Sequence, residues 1–87
     1  MIISFHKQFE KQLKKMTKKQ KEEVKKKIEI FLEDPHKQEL NNHGLHGKYK
    51  NYRSINIKGD LRAIFKLSDD GQEVIFVLLG NHNQLYS

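Results

Sequence analysis

The fold is decided by Leu61-Arg-Ala-Ile-Phe-Lys-Leu67, Asp69-Asp-Gly71 and Glu73-Val-Ile-Phe-Val-Leu-Leu79. Leu61, Ala63, Phe65 and Leu67 alternate with Arg62, Ile64 and Lys66, the period-two pattern of a strand with one apolar face. Asp-Asp-Gly is a hairpin turn signal. Glu73–Leu79 is apolar nearly throughout, which predicts a central strand covered on both faces. Gly80 ends that strand, and Asn81–Ser87 reads as a short tail in which Leu85 and Tyr86 pack back. Upstream, Lys58-Gly59 is a turn, and Tyr52–Ile57 alternates with β-branched residues as a strand does.

Working outward, His36–Asn51 is polar, holds Gly44 and Gly47, and reads as a loop passing into an irregular strand. Before it, Val24, Ile28, Phe31 and Leu32 recur at helical spacing. Asp34-Pro35 stops that helix, because proline disfavours the helical region for the residue before it. Thr17-Lys-Lys-Gln20 matches a capping box and predicts the helix start. Phe5, Phe9, Leu13 and Met16 form another stripe, on an earlier helix of about eleven residues. Ile2–Phe5 supplies material for one more strand. The expectation is an α+β fold, a two-helix N-terminal hairpin packed on a twisted antiparallel sheet of about four strands.

The 87 residues fit one domain, residues 1–87. Such a chain buries only about 60–65% of the surface it exposes when unfolded. The absence of cysteine excludes a disulfide framework, a thiolate zinc site, an iron–sulfur cluster and a thiol nucleophile. The longest apolar run, Val74–Leu79, is far short of the roughly 20 residues of a membrane span. No secretion signal is visible, so a cytoplasmic location is expected. Net charge is +6, and residues 1–33 hold ten lysines against five glutamates. Such a surface suits polyanionic partners, nucleic acid or an acidic protein. Its plainer reading is the solvated side of amphipathic helices, and solvent-facing lysines serve either purpose.

Chemistry-bearing residues gather in two places. One is Asn42-His43-Gly44-Leu45-His46-Gly47-Lys48-Tyr49-Lys50. The other pairs Asp60-Leu-Arg62 with Gly80-Asn81-His82-Asn83-Gln84-Leu85-Tyr86, because an antiparallel hairpin brings the start of one strand to the end of its partner. Histidine, arginine, aspartate and tyrosine at one sheet end suit phosphodiester cleavage in RNA. The substrate brings its own nucleophile, the 2′-hydroxyl. The protein must take that proton, protonate the leaving oxygen and neutralise the phosphate. Histidine does either proton transfer near neutral pH, and arginine grips phosphate through two hydrogen bonds. No metal or other cofactor is required. His43-x-x-His46 resembles a metal pair, but its glycines argue against a helix and no carboxylate pair accompanies it. No Walker loop, Rossmann fingerprint or serine elbow occurs.

Four pieces in this order, behind a basic helical hairpin, carry a family likeness: Asn42-His-Gly-Leu-His-Gly47, Tyr52-Arg-Ser-Ile-Asn-Ile57, Gly59-Asp-Leu-Arg-Ala-Ile-Phe-Lys66 and Leu79-Gly-Asn-His-Asn-Gln-Leu-Tyr86. The chain resembles the RelE superfamily of ribonuclease toxins of type II toxin–antitoxin systems, nearest its YafQ-like branch. The resemblance covers nearly the whole length. It implies a metal-independent mRNA endoribonuclease acting in the ribosomal A site and silenced by a cognate antitoxin. The protein would be a monomer alone or a hetero-oligomer with that antitoxin, without a membrane partner.

The resemblance also implies roles. His43 and Asp60 match active-site positions, His82 matches the general acid, Arg62 a phosphate-binding arginine, and Tyr86 a C-terminal aromatic. Lys48, Lys50, Arg53 and Asn56 are expected at the RNA. Asn56 departs from the pattern, since several YafQ-like toxins have a histidine there and asparagine transfers no proton near neutrality. Either that position only orients, or Asp60 or His43 supplies the base, or this copy is weakened. The rival readings are a non-enzymatic relative that binds antitoxin or RNA without cleavage, and a general basic RNA-binding domain. Against the last, the aromatics lie mostly on core-facing stripes and offer no stacking platform.

Overall fold

The computed structural model describes residues 1–86, with Tyr86 described by its backbone only. Strand β1 (Ile2–Phe5) leads into helix α1 (Lys7–Lys14) and helix α2 (Lys18–Glu33). Strands β2 (His43–Gly44), β3 (Arg53–Lys58), β4 (Leu61–Leu67) and β5 (Glu73–Asn81) follow, then the short helix α3 (His82–Tyr86). Single 3₁₀ turns at Gln38–Leu40 and Gly47–Tyr49 shape the long connection on either side of β2.

The five strands form one sheet in the order β1-β5-β4-β3-β2. The four from β2 to β5 are antiparallel neighbours, as expected. β1 adds a fifth strand and makes the sheet mixed, because it runs parallel to β5. The α1–α2 hairpin provides the long crossover that a parallel pair requires.

The break between the helices falls where the capping box predicts. Thr17 Oγ1 accepts from the Gln20 backbone N–H at 3.1 Å, and Gln20 Oε1 accepts from the Thr17 N–H at 3.0 Å. α1 is shorter than its apolar stripe suggests, because Phe5 ends β1 and the helix begins after His6. Phe5 still extends the stripe in space, its ring 5.3 Å from Phe9 and 5.8 Å from Phe76.

The main core lies between the helices and one sheet face. It contains Phe9, Val24 and Phe31 from the helices and Ile55, Ile57, Ala63, Phe65, Phe76 and Leu79 from the strands. Leu61, Ala63 and Phe65 share this face, as their alternation requires. A bulge then shifts the phase of β5. Ile64 pairs with Leu78 while the next residue, Phe65, pairs with Phe76, leaving Val77 as the extra residue. Val77 and Leu78 therefore both join a second apolar cluster with Ile64 and Leu85 on the opposite face. That smaller core is covered by α3 and the segment carrying Leu45 and Tyr52. It leaves one end of the second face open, where Arg62 pairs with Asn56 on one side and Gly80 on the other.

Candidate active site

The open end holds a cleft of about 400 Å³ lined by Asn41, His43, Leu45, His46, Arg62 and His82. Three chain segments far apart in sequence meet there. Arg62 comes from β4, because the face opposite the core receives every even-numbered residue at the start of that strand. His82 is the first residue of α3, held by a reciprocal cap. Asn81 Oδ1 accepts from the Gln84 N–H, and Gln84 Oε1 accepts from the Asn81 N–H, both at 2.8 Å. A side chain at position 80 would crowd this cap, since a Cβ there would lie 2.9 Å from Gln84 Oε1.

His43 stands on the edge strand β2, and its orientation is set by its neighbour. Asn41 adopts the left-handed backbone conformation (φ 46°), which asparagine tolerates better than most residues. Its carbonyl lies 2.7 Å from His43 Nδ1. A carbonyl only accepts, so the ring donates from Nδ1, and in the neutral imidazole Nε2 carries the free lone pair. The preceding residue is braced from the other side of the sheet. Arg53 donates from Nε to Asn42 Oδ1 at 2.8 Å, and Asn42 Nδ2 donates to the Pro35 carbonyl at 2.9 Å.

The walls are tied together across the cleft. Tyr49 donates its hydroxyl to the Leu85 carbonyl at 2.9 Å, linking the segment that carries His46 to the helix that carries His82. Arg62, by contrast, is half-buried and has no hydrogen bond or ion pair among the described residues. A partly desolvated guanidinium without a counter-charge is unfavourable unless an anion completes it. On β3, Ser54 Oγ and Asn56 Oδ1 are buried oxygens without a hydrogen-bond partner among the described residues. Ser54 pairs with His43 and Asn56 with Arg62.

The structure thus gathers three expected residues, His43, Arg62 and His82. It places the others elsewhere. Asp60 is exposed in the β3–β4 turn and lines a neighbouring cleft with Gln12, Lys15 and Asn81. Arg53 lies on the helix-side face as the strut for Asn42, so its guanidinium is occupied by protein rather than offered to the cleft. Lys48 and Lys50 are exposed on the segment next to His46, with Lys48 Nζ 5.3 Å from the Tyr49 ring centroid. Asn56 is half-buried beside Arg62, its cross-strand partner. Tyr86 follows Leu85 in α3, and its side chain lies outside the described residues. Sequence reasoning missed His46 as a cleft residue, although it stands three positions after His43 in the same motif. It also missed the Asn41 carbonyl and the Tyr49 tether, neither of which has a sequence signal. Among the described residues no group of three or more His, Asp or Glu side chains is arranged to hold a metal ion, and no helix is long and apolar enough to cross a membrane.

N-terminal helices packed on a mixed five-stranded sheet make the RelE/YoeB-like fold. A YoeB/ParE toxin from Agrobacterium tumefaciens has it, with a TM-score of 0.77, 16% identity and coverage of 94% of this chain and 99% of that one. The sequence matches the YafQ family, bacterial toxins of type II toxin–antitoxin systems, over residues 1–87, and the chain belongs to that family. The crystal structure of YafQ from E. coli strain BL21(DE3) superposes with a TM-score of 0.82 at 24% identity, covering 98% and 97% of the two chains. The toxin in the E. coli DinJ–YafQ toxin–antitoxin complex superposes with a TM-score of 0.78 at 24% identity, covering 98% and 96%. No curated protein sequence is a significant match.

Proposed function

We propose that the chain is an mRNA endoribonuclease, the toxin of a type II toxin–antitoxin pair, and that it blocks translation by cutting mRNA in the ribosomal A site. The observation that carries this reading is the meeting in one cleft of His43, His82 and Arg62, whose guanidinium has no hydrogen bond or ion pair among the described residues. The 2′-hydroxyl of the RNA attacks the adjacent phosphorus while His43 Nε2 accepts its proton. The Asn41 carbonyl holds the tautomer that makes this possible, so the base is His43 rather than Asp60. Arg62 holds the phosphate through two charge-assisted hydrogen bonds as charge builds on it. His82 gives a proton to the leaving 5′-oxygen. The P–O5′ bond breaks as the P–O2′ bond forms, leaving a 2′,3′-cyclic phosphate and a free 5′-hydroxyl. The substrate supplies the nucleophile and two imidazoles supply both proton transfers, so the step runs without a metal.

Lys48 and Lys50 flank the cleft as phosphate contacts, and Asn56, the cross-strand partner of Arg62, supports the sheet without transferring a proton. Tyr86, at the end of α3, serves stacking or proton positioning. The E. coli relative solved with its antitoxin DinJ supports an antitoxin partner here, an acidic protein suited to the lysine-rich helices. The test is induced expression in a bacterial host, wild type beside His82→Ala, with growth and mRNA 5′ ends read together. Removing a proton-transfer group costs about 10²–10⁴ in rate, about 3–5 kcal/mol of barrier. The expected result is arrest with new mRNA ends in the wild type and neither in the variant. Normal growth with abundant soluble wild-type protein on a susceptible ribosome would overturn the reading in favour of a binding-only relative.

A further inference from the structure

His46 has no part in the proton transfers assigned above, yet the fold holds it in the same cleft with its side chain uncommitted. Just before it, Leu45 packs into the second apolar cluster, and the Leu45 N–H donates to the Tyr52 carbonyl at 3.0 Å. Just after it, the Lys50 N–H donates to the Gly47 carbonyl at 3.0 Å, and Tyr49 is tethered to Leu85. The backbone at position 46 is therefore fixed from both sides. The imidazole lines the cleft with His43, Arg62 and His82. It is exposed and makes no hydrogen bond, ion pair or ring contact among the described residues. Its surroundings are cationic. Between Glu39 and Asp60 the sequence has no acidic residue, while His43, Lys48 and Lys50 flank position 46. No carboxylate lines this cleft, whereas Asp60 stands with Lys15 and Lys58 in the neighbouring one. The nearby rings of Tyr49 and Tyr52 pack edge to face at 6.0 Å, and Lys48 and Lys66 ammoniums stand over them at 5.3 and 6.0 Å. This wall thus presents donors and positive charge rather than open rings, which suits a phosphate oxygen better than a stacked base.

We infer that His46 is a substrate-binding residue that holds the phosphate on the 5′ side of the nucleotide whose 2′-hydroxyl attacks. The inference rests on the ribonuclease reading for the direction of the strand. In that reaction the attacking 2′-oxygen and the leaving 5′-oxygen lie on opposite sides of the phosphorus. His43 receives the 2′ proton, so the attacking nucleotide lies toward the wall that carries His43. His82 protonates the 5′-oxygen, so the departing nucleotide lies toward α3. His46 stands on the His43 wall, separated from it by at most about 11 Å of chain. The phosphate within its reach, besides the one on Arg62, is the one that precedes the attacking nucleotide. Lys48, two residues further on, continues the same track away from the cleft. The imidazole serves this purpose in either charge state, since the neutral ring donates one N–H and the imidazolium two.

The test uses 2′-O-methyladenylyl-(3′→5′)-adenosine, which lacks the attacking hydroxyl and stays intact. It is compared with the same dinucleotide carrying one added phosphate, at its 5′ end or at its 3′ end. Affinity and the histidine ring resonances are followed by NMR titration of the ¹⁵N-labelled chain, wild type beside His46→Ala, His46→Lys and His46→Phe. The side chain is exposed and without a partner, so all three variants are expected to fold, with backbone amide spectra like the wild type. The expected result is that the 5′ phosphate tightens wild-type binding about fivefold, as a good exposed ion pair does, and moves the His46 ring resonances. That gain is lost in His46→Ala and His46→Phe and returns in His46→Lys. Whatever the 3′ phosphate adds is unchanged in all three. No gain from the 5′ phosphate in the wild type, an undiminished gain in His46→Ala, rescue by phenylalanine instead of lysine, or a His46-dependent gain from the 3′ phosphate would each overturn the inference. Absence of mRNA cleavage in the expression experiment, with the His46-dependent gain intact, would instead fault the ribonuclease reading and leave the phosphate contact standing.

Discussion

Arg62→Ala separates folding from function in a way the structure makes quantitative. The side chain is half-buried and takes part in no hydrogen bond or ion pair among the described residues. Folding loses only the packing of its aliphatic stem, and relief of an uncompensated charge offsets that loss. The change in stability is therefore expected within about 0.5 kcal/mol, a shift in Tm of no more than about 4 °C for a domain of this size. In the proposed role, catalysis would lose two hydrogen bonds to a charged phosphate, each worth about 1.5–3 kcal/mol. The sum, about 3–6 kcal/mol, corresponds to a fall in cleavage rate of roughly 10²–10⁴. Arg62→Lys keeps the charge but loses the two-pronged grip and is expected between the two. The assay is cleavage of a defined message on programmed ribosomes, beside thermal unfolding followed by circular dichroism. A cleavage rate within about threefold of wild type, less than 1 kcal/mol of barrier, would refute the phosphate-binding role. A fall in Tm of about 10 °C would refute the claim that folding does not use Arg62.

Tyr49→Phe removes the hydroxyl that joins the His46 segment to α3. It is expected to cost about 1 kcal/mol, seen as a Tm lowered by about 4–8 °C, and to slow cleavage because the two walls of the cleft are no longer tied. Gly80→Ala places a methyl against Gln84 Oε1 and is expected to cost about 1–3 kcal/mol as overpacking. Adding Gln84→Ala should recover part of that loss in denaturant unfolding, and failure to recover any would locate the strain elsewhere. Asp70 in the β4–β5 turn is held below the usual carboxylate range by the Ser68 hydroxyl and then the Gln72 N–H. Its ionised form is favoured by the fold, so its contribution is present above the ordinary carboxylate pKa and is lost as pH falls through the lowered value. Asp70→Asn should flatten the loss of stability in that acid range, measured by urea unfolding at successive pH values.

Much of this architecture is local and therefore readable along the chain. The Thr17–Gln20 box, the stop at Asp34-Pro35 and the turn at Asp69–Gly71 each involve neighbours a few residues apart. The alternation through Leu61–Leu67 put Arg62 on the face opposite the core before any partner strand was known, and the hairpin put His82 near it. The candidate site was legible to that extent because both residues sit at matching ends of adjacent strands.

Other features depend on pairings that no local pattern encodes. Ile2–Phe5 read as material for one more strand, and only its pairing with β5 showed that this strand runs parallel. The near-continuous apolar run of Glu73–Leu79 hides its own phase, so the extra residue at Val77 became visible only against β4. Arg53, in a basic and polar stretch, looked like an RNA contact until the register placed it on the helix side with Asn42. Asp60 stands two residues from Arg62 in sequence but in a turn, where the period-two rule no longer applies, and it faces a different cleft. The choice of His43 Nε2 as the proton acceptor depends on one carbonyl turned by the backbone of Asn41. Sequence by itself determined which residues carry apolar, basic and proton-transferring groups and how short segments repeat. Tertiary structure decided which of those groups share a cleft, because that depends on strand order, register and hydrogen bonds between residues as far apart as Tyr49 and Leu85.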